Sequence, residues 1–357
     1  MRRSWFDRHR GSAARRAEPT HAPDHPDEDH HDSDHPHPSR GRRRSPVSRW
    51  GLALACSLLV SLVFARPGWT EATYSSLTSS FSTGDSTPKA APTVGLGDLV
   101  EPTLVTADFD ALPTGRVTPD RFIFSLGGSN NAPREYDDTT VVPDDRGRGK
   151  VLRTTLDAHS VRRLPRGNNG IVVFIPLPRR VQSACLTYDV KFDRSFDWSL
   201  GGKLPGLLGV APGVQPALPT GGHHTRNLGW SGRLMWLGPG AYAMPGRKNM
   251  VATYMYSPEQ ESRYGDNVWW NASFVAGRWH TIKQCYGMNT VGRRDGTLRS
   301  WLDGRLVVDR TDYVFRTRED VDISHISWSI FRGGHTMEWA GARTGTIDID
   351  NVRVTGS

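Results

Sequence analysis

Five side chains in the second half of this 357-residue chain have the types and spacing to hold an anion and move a proton: Lys203, Ser231, Arg233, Tyr254 and Tyr256. Lys203 stands in Gly201-Gly202-Lys203-Leu204-Pro205-Gly206-Leu207. There two glycines and a proline predict an irregular, shaped turn that presents a single cation. Ser231 and Arg233 are two apart in the strand-like run 231–236, and Tyr254 and Tyr256 two apart in 253–256. Alternation along a strand puts each pair on one face. A sheet that set those faces beside Lys203 would line a groove with two cations, two phenols and a hydroxyl, which suits an anionic sugar polymer.

The elements that must position these residues read as β throughout. Strands are predicted at 103–109, 150–156, 170–175, 184–192, 232–237, 250–256, 279–286, 297–302, 305–309, 323–331 and 346–354, with no sustained helical period between them. Asp303-Gly304 is the strongest hairpin signal, because glycine accepts the positive φ of a tight turn. Short strands separated by Gly, Pro and Asn loops predict an all-β jelly roll, a concanavalin-like sandwich of two antiparallel sheets. Trp236, Trp279, Trp301 and Trp328 sit inside strands and are expected in the core. Adjacent Trp269 and Trp270 must face opposite ways, so one is expected outside, with Trp270 taken as a sugar-stacking candidate.

Residues 99–357 are expected to form this one domain. Residues 1–49 are rich in Arg, His, Asp and Pro, are nearly free of aliphatics, and read as a disordered tail. Residues 50–65 are an uncharged apolar run behind Arg42, Arg43, Arg44 and Arg49, shorter than the ~20 residues that span a bilayer. Export by a signal peptide is therefore expected, with a membrane anchor as the alternative. Residues 66–98 have the Ser/Thr/Pro composition of a linker. The formal net charge is +8, of which residues 101–357 carry 32 basic and 26 acidic side chains, a mild excess compatible with an acidic polymer. No basic stripe with interleaved aromatics exists, so nucleic acid is not an expected partner. Of three cysteines, Cys185 and Cys285 lie in strand-like segments and could pair after export, while Cys56 lies in the apolar run.

The segments FDRSFDWSLGGKLPGLLG (192–209), SGRLMW (231–236), ATYMYSP (252–258), LRSWLDGRLV (298–307), FRGG (331–334) and DIDNVRV (348–354) together resemble the polysaccharide lyase 14 type of alginate lyase and the related glucuronan lyases. The resemblance covers roughly residues 100–357, and its most specific piece is Gly-Gly-Lys-Leu-Pro-Gly. It implies a β-jelly roll that cleaves uronic-acid polysaccharides by β-elimination, with Lys203, Arg233, Tyr254 and Tyr256 as catalytic positions and Ser231 beside them. The loop 210–228 and the connection 238–250 depart from the family pattern, which leaves the identity of the polymer open.

Elimination removes the C5 proton of a uronate and expels the O4 leaving group. The neighbouring carboxylate must first be neutralised, because it resists a second negative charge. Arg233 has the planar fork for this, and Gln284 is an amide candidate. Either tyrosine is expected to take the C5 proton, with Lys203 and Arg233 lowering the phenol pKa and a tyrosine or Lys203 protonating the leaving oxygen. Spacing does not decide which phenol is base and which acid. His223 and His224 are alternative bases, and His224 is also a substrate-binding candidate. No cofactor or metal is required, though Asp348 and Asp350 share a strand face where a structural calcium is conceivable. The chain is expected to act as a monomer. The competing functional class is a non-catalytic binding module for acidic glycans, which needs the groove but no poised base. Glycoside hydrolysis is disfavoured, since it needs two carboxyls flanking the bond and no such pair lies on the groove strands.

Overall fold

A computed structural model describes residues 101–129, 134–136, 139–162, 170–225, 227–240, 249–334 and 336–357. The tail, apolar run and linker expected at 1–49, 50–65 and 66–98 lie outside the described residues. Sixteen strands are described: β1 (Thr103–Ala107), β2 (Gly115–Arg116), β3 (Arg134–Tyr136), β4 (Thr139–Pro143), β5 (Lys150–Leu156), β6 (Ile171–Val181), β7 (Ser183–Phe192), β8 (Gly201–Val210), β9 (Gly229–Leu237), β10 (Met250–Tyr256), β11 (Asp266–Ser273), β12 (Trp279–Gly287), β13 (Gly296–Leu302), β14 (Arg305–Tyr313), β15 (Ile323–Arg332) and β16 (Gly345–Gly356). They form two antiparallel sheets. One runs β14-β13-β12-β7-β16-β5-β4-β2 with β1 also on β16, and the other runs β11-β10-β9-β8-β15-β6-β3.

Period-2 burial shows how the first sheet faces the core. Along β7, Ala184, Leu186, Tyr188, Val190 and Phe192 point inward and are buried. They meet Leu204, Leu234, Trp236 and Val251 of the second sheet in one hydrophobic cluster. Each large side chain so buried contributes about 1.5–3 kcal/mol. Trp236 and Trp328 are core, as expected, whereas Trp279 and Trp301 are only half-buried. Both lie on the outward face of the first sheet, with Arg146 4.0 Å over the Trp279 ring and Lys283 4.9 Å over that of Trp301. The Asp303-Gly304 hairpin joins β13 to β14 with φ of 52° and 79°, as its residues dictate.

One helix was not legible. Helix α1 (Pro119–Ser125) is seven residues long, too short for a period to register. Thr118 caps it, Pro119 opens it, and it buries Phe122 and Ile123, with Phe122 edge-on to Trp328 at 5.2 Å. Among the described residues no helix is long and apolar enough to cross a membrane.

Cys185 and Cys285 stand directly opposite in the β7–β12 register and form a disulfide. The bridge joins positions 100 residues apart. Replacing both by serine is expected to lower unfolding free energy by up to about 4 kcal/mol, by loss of the constraint on the unfolded chain, read as a lower denaturant midpoint. The carboxylates weighed for calcium are already neutralised. Asp348 accepts from Arg153 Nε at 2.6 Å and Nη2 at 2.9 Å with Lys191 Nζ 3.4 Å away, and Asp350 accepts from Arg146 Nη2 at 2.6 Å. A metal ion there would have to displace these cations.

Candidate active site

The segment expected to be a turn around Lys203 is instead β8, a ten-residue strand buried on both faces. Its glycines serve close strand packing. A Cβ on Gly202 would come within 2.1 Å of the Trp236 ring, and one on Gly206 within 2.0 Å of the Gly232 carbonyl oxygen. Pro205 sits at a register shift between Leu204 and Gly206, where the ladder needs no N–H from it, and its carbonyl accepts a hydrogen bond from Tyr188 in the core at 3.2 Å. The motif therefore lets a lysine sit in the middle of a sheet. Gly206→Ala is expected to cost about 1–3 kcal/mol or more of stability, since the contact is with backbone that cannot yield, and a denaturant midpoint would show it.

Pairing then gathers the predicted residues on the outward face of the second sheet. Lys203 is opposite Met235, Arg233 opposite Tyr254, and Ser231 opposite Tyr256. Phe331 of β15 is opposite Lys203 on its other side. Lys203, Arg233, Tyr254 and Tyr256 line one cavity of about 340 Å³ together with Arg162, Arg263, Tyr264, Phe331 and the glycines 221, 222, 333 and 334.

The electrostatics of this cavity are unusual for a protein interior. Lys203 is 7% exposed and Arg233 3% exposed, yet among the described residues neither forms an ion pair, and Arg233 Nε has no hydrogen-bond partner. What they have is aromatic: the Lys203 ammonium lies 4.6 Å from the Tyr254 ring centroid and 5.9 Å from that of Trp339, and the Arg233 guanidinium 5.7 and 5.8 Å from Tyr254 and Tyr256. Burial, then the charges of Arg233 and Arg162, hold the Lys203 amine well below the ordinary lysine range. Burial also pushes the Tyr254 phenol up, reinforced by Tyr256 and opposed by Arg233 and the Gly265 N–H. That is the reverse of the lowering expected from the sequence, because desolvation of the phenolate outweighs the nearby cation. The two rings stand perpendicular, 5.4 Å apart. Tyr254 Oη accepts from Gly265 N at 3.2 Å and Tyr256 Oη from Gly222 N at 2.9 Å.

Other predicted site residues lie elsewhere. Ser231 is on the right face but fully buried, and its hydroxyl donates to the Pro219 carbonyl, holding the loop that carries Gly221 and Gly222. Gln284 is between the sheets, donating Nε2 to Thr253 Oγ1 at 2.9 Å, because β12 belongs to the opposite sheet. Trp270 points into the core and donates Nε1 to the same Thr253 oxygen at 2.9 Å. Its neighbour Trp269 is the outward one, packed with Tyr254 and Trp339 against Met235 and Ala252. His223 and His224 are exposed on the adjoining loop, outside the central cavity.

Sequence reasoning missed Arg162, Arg263, Tyr264 and Trp339. No local pattern marks them, since each lies outside a strand and reaches the groove only through tertiary folding. Phe331 had a signal in the Phe-Arg-Gly-Gly segment.

Comparison with known proteins agrees with this architecture. Among curated proteins, no sequence matches the chain. Its fold is that of a substituted alginate lyase Aly36B solved with alginate trisaccharide (23% identity, TM-score 0.58, 72% of this chain and 99% of that one). It is also that of the PL-14 alginate lyase from Aplysia kurodai (20%, 0.58, 72% and 99%) and of alginate lyase vAL-1 from Chlorella virus (18%, 0.54, 68% and 99%). The family model for polysaccharide lyase 14 matches residues 144–352, a span that runs from β5 through most of β16 and includes every strand of the groove. The chain belongs to the polysaccharide lyase 14 family.

Proposed function

We propose that this groove cleaves a uronate-containing polysaccharide, of the alginate or glucuronan type, by β-elimination. The observation that carries the reading is the buried Arg233 guanidinium with the buried Lys203 amine beside it, neither with a carboxylate partner among the described residues. A buried charge left unpaired costs several kcal/mol, so the cavity is complementary to an anion that arrives with the substrate. In this reading the Arg233 fork takes the uronate carboxylate, neutralising it so that negative charge can develop at C5.

Acid and base follow from environments that push two groups apart. The Lys203 amine, held well below the ordinary lysine range by burial and by Arg233 and Arg162, acts in its unprotonated form and takes the C5 proton. The electron pair of the C5–H bond becomes the C4=C5 double bond, the C4–O4 bond breaks, and Tyr254, which burial keeps protonated, gives its proton to O4. Lys203 then releases its proton to solvent, and the Tyr254 phenolate takes one up from it. Tyr256, tied to Gly222, supports the loop wall. The substrate ring stacks on the aromatic face formed by Trp269 and Trp339. Export is part of the proposal: the disulfide suits an oxidising compartment, as does the apolar run at 50–65.

The test is ultraviolet absorbance of the full chain mixed with polymannuronate, polyguluronate and polyglucuronate. A rise from the unsaturated product supports elimination and identifies the polymer. A flat trace on all three, with folded protein that still binds one of them, would replace the enzyme by a binding module.

A further inference from the structure

We propose that Arg263, His223 and His224 form a second carboxylate-recognition position beside the reacting groove, occupied by a uronate residue further along the same chain. The inference rests on the reading of the groove as a uronate-polymer site and extends it to substrate length.

A cavity of about 580 Å³ adjoins the central one, lined by Leu218, Gly222, His223, His224 and Arg263. Gly222 and Arg263 line both, so the two cavities adjoin. At the junction, Gly222 has φ +86°, and a Cβ there would meet the Tyr264 ring at 3.2 Å and Arg263 at 3.6 Å. Its positive φ favours glycine there, and a side chain would crowd the Tyr264 ring.

The walls are built, although they are loops. Gly222 N donates to Tyr256 Oη at 2.9 Å, and Thr220 Oγ1 to the Ala217 carbonyl at 2.7 Å. Gln260, 8% exposed, donates its amide to the carbonyls of His223 at 3.2 Å and Ser262 at 2.9 Å, tying one wall to the other. Ser262 Oγ donates to the Tyr264 carbonyl and accepts from its N–H, both at 3.0 Å. A buried glutamine that bridges two loop carbonyls sets the separation of Arg263 from the histidines before any ligand arrives.

The groups facing the cavity are donors without acceptors. Arg263 lies over the Tyr264 ring at 5.0 Å and forms no ion pair among the described residues. Glu259 pairs instead with Arg294, and Glu261 does not reach it. The His223 and His224 rings are exposed and make no side-chain hydrogen bond to the described residues. An arginine fork and two imidazoles around a half-buried leucine match a sugar ring that carries a carboxylate. His223 and His224 come from the loop after β8 and Arg263 from the loop between β10 and β11, so the position exists only where these two loops meet.

The experiment compares wild type with Arg263→Gln and with the combined His223→Ala, His224→Ala, Arg263→Gln variant on oligomannuronates and oligoguluronates of graded length. The melting temperature of each variant establishes that it is folded. In wild type, kcat/KM should rise with length. In the combined variant the ratio of kcat/KM for long to short oligomers should fall about tenfold, mostly through KM, with a smaller fall in Arg263→Gln. A long-to-short ratio equal to wild type in the folded combined variant overturns the proposal. Calorimetric binding of the same oligomers separates the two readings. If wild type never eliminates but its length-dependent affinity drops about tenfold in the variant, the lyase reading fails and this position stands. If elimination proceeds with unaltered length dependence, this position alone fails.

Discussion

Lys203→Ala is expected to lower kcat by about a thousandfold, within the 10²–10⁴ range that a positioned general base contributes. The measurement is the rate of ultraviolet absorbance rise on the polymer that wild type cleaves. The substitution should leave the fold intact, since it removes an amine that is 7% exposed and has no anionic partner among the described residues. A buried amine with no anionic partner opposes folding through its desolvation, so the melting temperature should hold or rise. The pH behaviour gives an independent reading. Burial lowers the folded pKa of Lys203 below its unfolded value of 10.5. Between those two values the unfolded state binds the additional proton, so stability rises with pH across that window, and the alanine variant should lose this slope. The same deprotonation should appear as the acidic limb of the wild-type kcat/KM profile. A variant with wild-type kcat and an unchanged acidic limb would remove Lys203 from the chemistry and leave the amine a packing element of β8.

Tyr254→Phe is expected to cost about 10²–10³ in kcat while affinity for the polymer stays close to wild type, because it deletes one hydroxyl and keeps the ring under both cations. A general acid is needed only in proportion to the basicity of the leaving oxygen. On a substrate with a good leaving group, such as an aryl-linked uronide, the loss should therefore shrink severalfold. Equal losses on both substrates would assign Tyr254 to binding. Tyr256→Phe should behave differently: its Oη accepts from Gly222 N, so its removal loosens the loop wall and should act more through KM than through kcat.

Much of this protein was legible in its sequence. Turn chemistry and period-2 alternation pointed to an all-β sandwich, because both are local properties of a few consecutive residues, and Asp303-Gly304 behaves in the structure as its φ preferences require. The same alternation put Ser231 with Arg233 and Tyr254 with Tyr256, and the register of β9 with β10 joins those pairs. The strand around Lys203 could not be read this way. β8 is buried on both faces and rich in glycine, so it lacks the alternation of a half-exposed strand and borrows its packing from Trp236 and Gly232. Which sheet a strand joins is equally non-local. That choice put Gln284 between the layers, turned Trp270 inward and Trp269 outward, and brought Cys185 against Cys285. The directions of the pKa shifts were decided by tertiary structure alone. Proximity of a cation suggests a lowered phenol pKa, but the extent of desolvation around Tyr254 and Lys203 depends on loops and strands distant in sequence closing over them, and in this cavity desolvation is the larger effect.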